Sequence, residues 1–233
     1  MSEPLPVVLV PGLLSSARLY GPQIPYLWRE GAVTIADHTR DESMGAIAQR
    51  ILAAAPPRFA LVGLSMGGYI SFEILRQAPD RVARLALLDT SARPDTAEAS
   101  AGRRAQMELA SAGRLSEVAD AQFARMVAPE RRADGTLRDL NRLMTEEVGP
   151  QAFVRQQRAI MGRADSRATL ALIRCPTLVL VGEADELAPA PLAAEIAGGI
   201  SGARLVRVPG CGHLSTLEKP DQVTPALLQW LRA

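Results

Sequence analysis

The chain has 233 residues with 26 Lys and Arg against 25 Asp and Glu, a formal charge of +1, which offers neither nucleic acid nor an anionic membrane surface an electrostatic handle. Its two cysteines, Cys175 and Cys211, are too few for a disulfide framework and lack metal-ligand spacing, so a reduced, cytoplasmic setting is expected. No apolar run approaches the roughly 20 residues of a membrane helix, and MSEPLPVVLVPG has no basic flank ahead of a leader-like apolar core.

In chain order, short apolar, β-branched runs predict strands at Val7–Val10, Ala32–Ala36, Phe59–Leu64, Leu85–Asp89, Thr177–Val181 and Arg204–Val208. They are continuous rather than alternating, which suits strands covered on both faces. Helical patterns fall between most of them, at Met44–Ala54, Met66–Gln77, Ala190–Ile200 and Asp221–Leu231. Strand–helix–strand order predicts an open, mostly parallel α/β sheet of about six strands flanked by helices. From Ser91 to about Ala168 only helical patterns occur, punctuated by Gly113, Pro129, Gly135, Gly149 and Pro150. Too many consecutive helices intervene there for one crossover. A helical cap is therefore expected over residues 91–168, inserted into a core of residues 1–90 and 169–233.

The segment LVGLSMGGYI places Ser65 in G-x-S-x-G, where a strand hands over to a helix. Such a turn strains its central residue and crowds its neighbours, which Gly63 and Gly67 relieve. The competing role for this serine is a helix cap. A serine hydroxyl needs a base to become nucleophilic, and the chain has two histidines. His213 lies in a glycine-flanked loop after the last strand, and His38 follows Ala32–Ala36; position alone admits both. The base needs a carboxylate to orient it, and Asp185 and Asp89 each sit at a strand end. Oxyanion donors are expected from the amides of Met66, the residue after the serine, and Leu13, in the loop after the first strand.

Tyr20, Trp28, Phe123, Met126 and Met144 are the candidate substrate-contacting residues, with Tyr69, Phe153 and Met161 as further apolar candidates. For the residues of the insertion, packing of the cap helices against one another is the more ordinary role. Arg40, Arg93 and Arg163 could meet a substrate carboxylate, the bland option being solvated surface. No H-x-x-x-H or Cys/His cluster appears, so no metal is expected.

Together these residues resemble the α/β-hydrolase fold family. The order Ser65, Asp185, His213 matches the family's Ser…Asp/Glu…His order. VGEADELAP is similar to its acid loop, and PGCGHLSTLEKP to its histidine loop. The resemblance favours Asp185 over Asp89 as the acid. Pro11-Gly12 stands where the family usually has His-Gly, which alters the support of the loop carrying Leu13. The chain opens almost directly on the strand before that loop, so about six strands are expected rather than the family's eight. MGRADSR leading into IRCPTLVLVGEAD is most similar to the 3-oxoadipate enol-lactonase-like and small-esterase branch. The implied activity is cofactor-free hydrolysis of small carboxylic esters or lactones through an acyl-enzyme on Ser65, with no partner beyond the small-molecule substrate. Perhydrolysis of the haloperoxidase type, C–C bond hydrolysis, acyl transfer and non-catalytic ligand binding are the other activities the fold admits.

Overall fold

A computed structural model describes residues 4–233. Six strands, β1 (Val7–Val10), β2 (Val33–Ile35), β3 (Phe59–Leu64), β4 (Val82–Leu88), β5 (Thr177–Gly182) and β6 (Arg204–Val208), form one sheet in the order β2-β1-β3-β4-β5-β6. Every neighbouring pair is parallel. Three strands differ in extent from the sequence expectation, β5 only by the addition of Gly182. β2 has one neighbour and shortens at both ends, whereas central β4 extends back to Val82, which pairs with Phe59.

The continuous apolar runs have a direct structural cause. Val7 and Leu9 pack with Ala60, Val62, Leu64, Ala86 and Leu88 on one face of the sheet, and Val8 and Val10 with Leu61, Leu85 and Leu87 on the other. Side chains alternate with period two, and both faces are covered. Helices α2 (Met44–Ala54), α3 (Met66–Gln77) and α8 (Ala190–Gly199) bury Ile47, Ile70 and Ile196 against one face. On the other, the short α1 (Ile24–Leu27), the one-turn α9 (Ser215–Glu218) and the C-terminal α10 (Pro220–Arg232) contribute Leu27, Leu217, Leu227 and Trp230.

Between β4 and β5 no strand intervenes among the described residues. Helices α4 (Ala97–Ser111), α5 (Leu115–Met126), α6 (Gly135–Met161) and α7 (Arg167–Leu170) fill the interval. α6 is two helices joined at a kink, where Gly149 takes φ 74° and ψ 168° ahead of Pro150. Glycine adopts that conformation without a Cβ clash, and proline at the start of the second half lacks an N–H that would go unused there. The insertion meets the core at Leu14, which packs with Ala110, Leu115, Val118 and Phe153. No helix among the described residues is long and apolar enough to cross a membrane.

Candidate active site

In a parallel sheet, crevices open beyond the carboxyl ends of the strands where strand order reverses. Here the reversal falls at β1, which leads to β2 on one side and neighbours β3 on the other. The loop after β1 and the turn after β3 therefore flank one opening. They carry Gly12 and Leu13, and Ser65.

Ser65 holds φ 55° and ψ −114°, a left-handed conformation that costs a side chain roughly 1–3 kcal/mol. Its surroundings allow no relaxation. A Cβ on Gly63 would lie 2.3 Å from Gly67 O, and one on Gly67 would lie 2.0 Å from Val10 O. Both glycines are required by close backbone approach. Ser65 occupies the N-cap of α3 but makes no capping bond with its side chain, and Oγ makes no hydrogen bond among the described residues. The hydroxyl stands on the wall of a cavity of about 500 Å³ that His213 also lines.

His213 Nδ1 lies 2.7 Å from Asp185 Oδ2. A carboxylate only accepts, so Nδ1 carries the proton and Nε2 is left as the ring's acceptor. Asp185 is held in turn: Oδ1 accepts from Leu187 N at 2.8 Å and Ala188 N at 3.0 Å. Burial alone would raise its pKa. The His213 charge, the hydrogen bond from His213 and those two amides outweigh burial and hold the carboxyl below its ordinary value. For His213 burial, the largest single influence, acts downward, but the charge and hydrogen bond of Asp185, with the nearby Asp89 and Glu218 carboxyls, together outweigh it and the imidazole ends above its usual value.

The loop bearing His213 is anchored from beneath and from the insertion. Met126 O accepts from His213 N at 2.8 Å and Leu214 N at 3.1 Å. Glu218 accepts from Ala128 N at 2.7 Å through Oε2, and from Gly212 N at 3.1 Å and Leu214 N at 3.2 Å through Oε1. Asp89, the rival acid, does not reach the ring. Oδ1 accepts from Gly182 N at 2.9 Å, and Oδ2 meets the Ser215 hydroxyl. Burial, with Asp185 nearby, pushes its carboxyl up to about 8. It ties the end of β5 to the histidine loop.

The loop after β1 is fixed as firmly. Ser15 N donates to Gly12 O at 3.2 Å, closing a four-residue turn in which Leu14 takes φ 54°. Positive φ at the third position is the mark of a type II turn, a place usually left to glycine. Leu14 N donates to Gln156 Oε1 at 3.2 Å, and Ser15 Oγ donates to Leu13 O at 3.2 Å, so both polar atoms of the Leu13–Leu14 peptide are engaged. His38, the other candidate base, is buried with Nε2 2.8 Å from Gly12 O. A carbonyl only accepts, so Nε2 holds the proton and cannot take one from Ser65. The Leu13 and Met66 amides make no hydrogen bond among the described residues.

Of the five substrate-contact candidates, Met126 alone lines this cavity. Tyr20 is fully buried, with its hydroxyl donating to Val10 O at 3.0 Å. Trp28 is 72% exposed at the end of α1. Phe123 and Met144 are fully buried in the core cluster, with the Arg138 guanidinium 4.7 Å from the Phe123 ring centroid. Phe153 packs with Leu14. Tyr69 does line the cavity, under a guanidinium of Arg163 stacked 4.4 Å from its ring centroid. Arg40, Arg93 and Arg163 are paired with Asp37, Glu195 and Asp95, and none of the three lines the cavity.

The insertion's side of the cavity is polar instead. Glu98, Arg103, Gln106, Gln122 and Arg125 contribute to it. Arg103 Nη1 donates to Gln157 Oε1 at 2.8 Å, and Gln157 Nε2 and Gln122 Nε2 both donate to Gln106 Oε1. Sequence reasoning missed these residues. In an arginine-rich chain nothing marks Arg103 or Arg125 apart from the rest.

Comparison with known proteins identifies the family. The profile of the alpha/beta hydrolase family matches residues 7–226. A structure of a thermophilic esterase from Thermogutta terrifontis, solved with malate bound, is 31% identical with a TM-score of 0.89, over 98% of this chain and 89% of that one. An enol-lactonase from Burkholderia xenovorans LB400 shares the fold, with a TM-score of 0.89 at 23% identity over 100% of this chain and 93% of that one. A pimeloyl-[acyl-carrier protein] methyl ester esterase from Aromatoleum aromaticum is 27% identical over 194 residues, 78% of this chain and 77% of its own length. With a six-stranded parallel sheet, a strained serine at the turn after β3 and a profile match over nearly its whole length, the chain belongs to the alpha/beta hydrolase family.

Proposed function

We propose that the protein is a serine hydrolase of small carboxylic esters or lactones that works without a cofactor. The observation that carries this reading is one cavity shared by Ser65, on its left-handed turn, and His213, paired through Nδ1 with Asp185. Ser65 Oγ attacks the carbonyl carbon as His213 Nε2 takes its proton, and Asp185 keeps the imidazole in the required tautomer and stabilises its charged form. The contact between serine and histidine closes as substrate seats, as such contacts commonly tighten in the reacting complex. Leu13 and Met66 amides receive the oxyanion, each donor contributing about 10²–10³ in rate. Met66 lies at the N-terminus of α3, whose dipole favours the same charge. His213 then returns its proton to the leaving alkoxide, and later activates water to free the acid from Ser65.

Residues 91–168 serve as the cap over this site, on a core formed by residues 1–90 and 169–233. The polar wall of Arg103, Gln106, Gln122 and Arg125 favours small, polar esters over long acyl chains. Two of the relatives are named as esterases, and one was solved holding malate.

The test is turnover of p-nitrophenyl acetate and butyrate by wild type and Ser65→Ala, with fluorophosphonate labelling of Ser65 read by mass spectrometry. Turnover and labelling should both vanish in the variant. A folded wild type whose Ser65 stays unlabelled would instead favour a binding role for the fold.

A further inference from the structure

The mechanism leaves one buried imidazole unused. His38 sits past the end of β2, 3% exposed, with Nε2 2.8 Å from Gly12 O. That carbonyl belongs to the same peptide unit as the Leu13 N–H. No cis peptide bond occurs among the described residues, so C=O and N–H leave this planar unit on opposite edges. Holding the oxygen on the His38 side therefore aims the N–H away from His38, and Leu13 lies on the wall of the cavity that holds Ser65.

We propose that His38 is a positioning residue for the oxyanion hole: its Nε2–H, donated to Gly12 O, sets the plane of the peptide whose Leu13 N–H receives the developing negative charge. The inference rests on the ester-hydrolysis reading. Two further observations give it weight. The hydrogen bond polarises the peptide and makes the opposite N–H a better donor, since chained hydrogen bonds strengthen one another. The next peptide is also locked, with Leu14 N on Gln156 Oε1 and Leu13 O accepting from Ser15 Oγ, so the strained turn cannot flip while these bonds stand. In this chain Pro11 precedes the oxyanion glycine, and a proline offers no side-chain hydrogen bond to steady the loop. His38 supplies that support from the segment that follows β2.

The test compares His38→Gln, whose amide nitrogen reaches the place of Nε2, with His38→Asn, which is too short, and His38→Leu, which has no donor. Each variant is assayed for kcat and KM on p-nitrophenyl acetate, for affinity toward a small alkylboronic acid, and for melting temperature. The boronate forms a tetrahedral adduct on Ser65 with an oxygen in the hole, so its affinity reports the hole directly. His38→Asn and His38→Leu should lower kcat by roughly 10–100-fold, below the ceiling for loss of a whole donor, with KM changed less than about threefold. Boronate affinity should fall in step, and His38→Gln should stay within about threefold of wild type. If His38→Leu fails to fold, the Gln and Asn pair decides. Equal kcat in those two, or losses that follow melting temperature while boronate affinity holds, would overturn the positioning role. A wild type without Ser65-dependent turnover overturns the hydrolysis reading itself, and comparison with Ser65→Ala separates that case from the first.

Discussion

Replacing Asp185 by Asn changes one atom and should reverse the tautomer of His213. Asp185 Oδ1 accepts from Leu187 N and Ala188 N, at 2.8 and 3.0 Å. An asparagine that turned its NH₂ toward those two donors would leave both amides unsatisfied, at about 1–3 kcal/mol each. It therefore keeps oxygen there and presents NH₂ to His213 Nδ1, where Asp185 Oδ2 stood at 2.7 Å. Nδ1 must then accept, the ring proton moves to Nε2, and Nε2 can no longer take the Ser65 proton. Recovering the productive tautomer requires the unfavourable amide orientation, about 2–6 kcal/mol in all, or a factor of roughly 30 to 10⁴ in rate. Loss of the carboxylate's support for the imidazolium adds to it, so the upper end is expected, in line with the ~10⁴ known for this exchange in serine-protease triads. The pH profile adds a signed check. His213 must be neutral to act as base, and Asp185 holds its pKa above the ordinary 6.5, so the acid limb of wild-type kcat/KM lies above that value. In Asp185→Asn the main raising influence is gone while burial still acts downward, so residual activity should persist to lower pH. The assay is p-nitrophenyl acetate hydrolysis from pH 5 to 9, with circular dichroism to confirm folding. A folded variant within tenfold of wild type would remove Asp185 as the orienting acid.

Three other perturbations follow from the same geometry. Asp89 is raised to about 8 against an ordinary 3.8, so its protonated form favours the native state at low pH and that advantage is lost as pH rises toward 8. Asp89→Asn keeps an acceptor for Gly182 N and a donor for Ser215 Oγ; its melting temperature relative to wild type should climb between pH 4 and 8, and a flat or falling difference would refute this. Gly67→Ala drives a methyl to 2.0 Å from Val10 O and 2.9 Å from Val10 C, both backbone atoms that cannot step aside. A loss of about 3 kcal/mol or more is expected, seen as a drop of roughly 6–12 °C in thermal melting. Glu218→Ala leaves the amides of Ala128, Gly212 and Leu214 without their acceptor, so stability should fall by about 3 kcal/mol or more. Turnover should fall beyond what the folded fraction explains, because two of those amides flank His213, and unchanged kcat per folded molecule would refute that anchoring role.

How far the amino-acid order foretold the molecule depended on the physical signal at each place. β1 and β3 run over the residues expected because strands covered on both faces leave unbroken apolar runs with sharp ends, and the partly exposed edge strand β6 also matches its expected span. β4 starts three residues earlier than expected, since Val82-Ala83-Arg84 reads as polar-interrupted until the pairing of Phe59 with Val82 is known. The turn at Ser65 was legible because only glycine fits against the backbone on either side of it. The cavity wall was not. Helical spacing groups Phe123 with Met126 on one stripe, yet the stripe divides: Met126, at the end of α5, reaches the opening while Phe123 stays in the core. Polar residues such as Arg103 and Gln106 carry no local pattern that distinguishes a cavity from solvent. Trp28 shows the converse limit: expected as a substrate-contacting residue, it stands exposed at the end of α1.

The fastening of the histidine loop to Met126 and Ala128 has a consequence for traffic into the site. If α5 swung outward as a rigid arm, it would tear three buried hydrogen bonds from the segment that carries the proposed base, His213, and would disarm the proposed triad whenever the door stood ajar. α4 has one buried residue, Ala110, and side-chain bonds at its partly exposed face, Arg103 to Gln157 and Gln122 to Gln106, help hold it to the neighbouring helices. Entry and exit should therefore run past α4, with α5 as the fixed jamb, and amide exchange across Ala97–Ser111 should outpace that of Leu115–Met126.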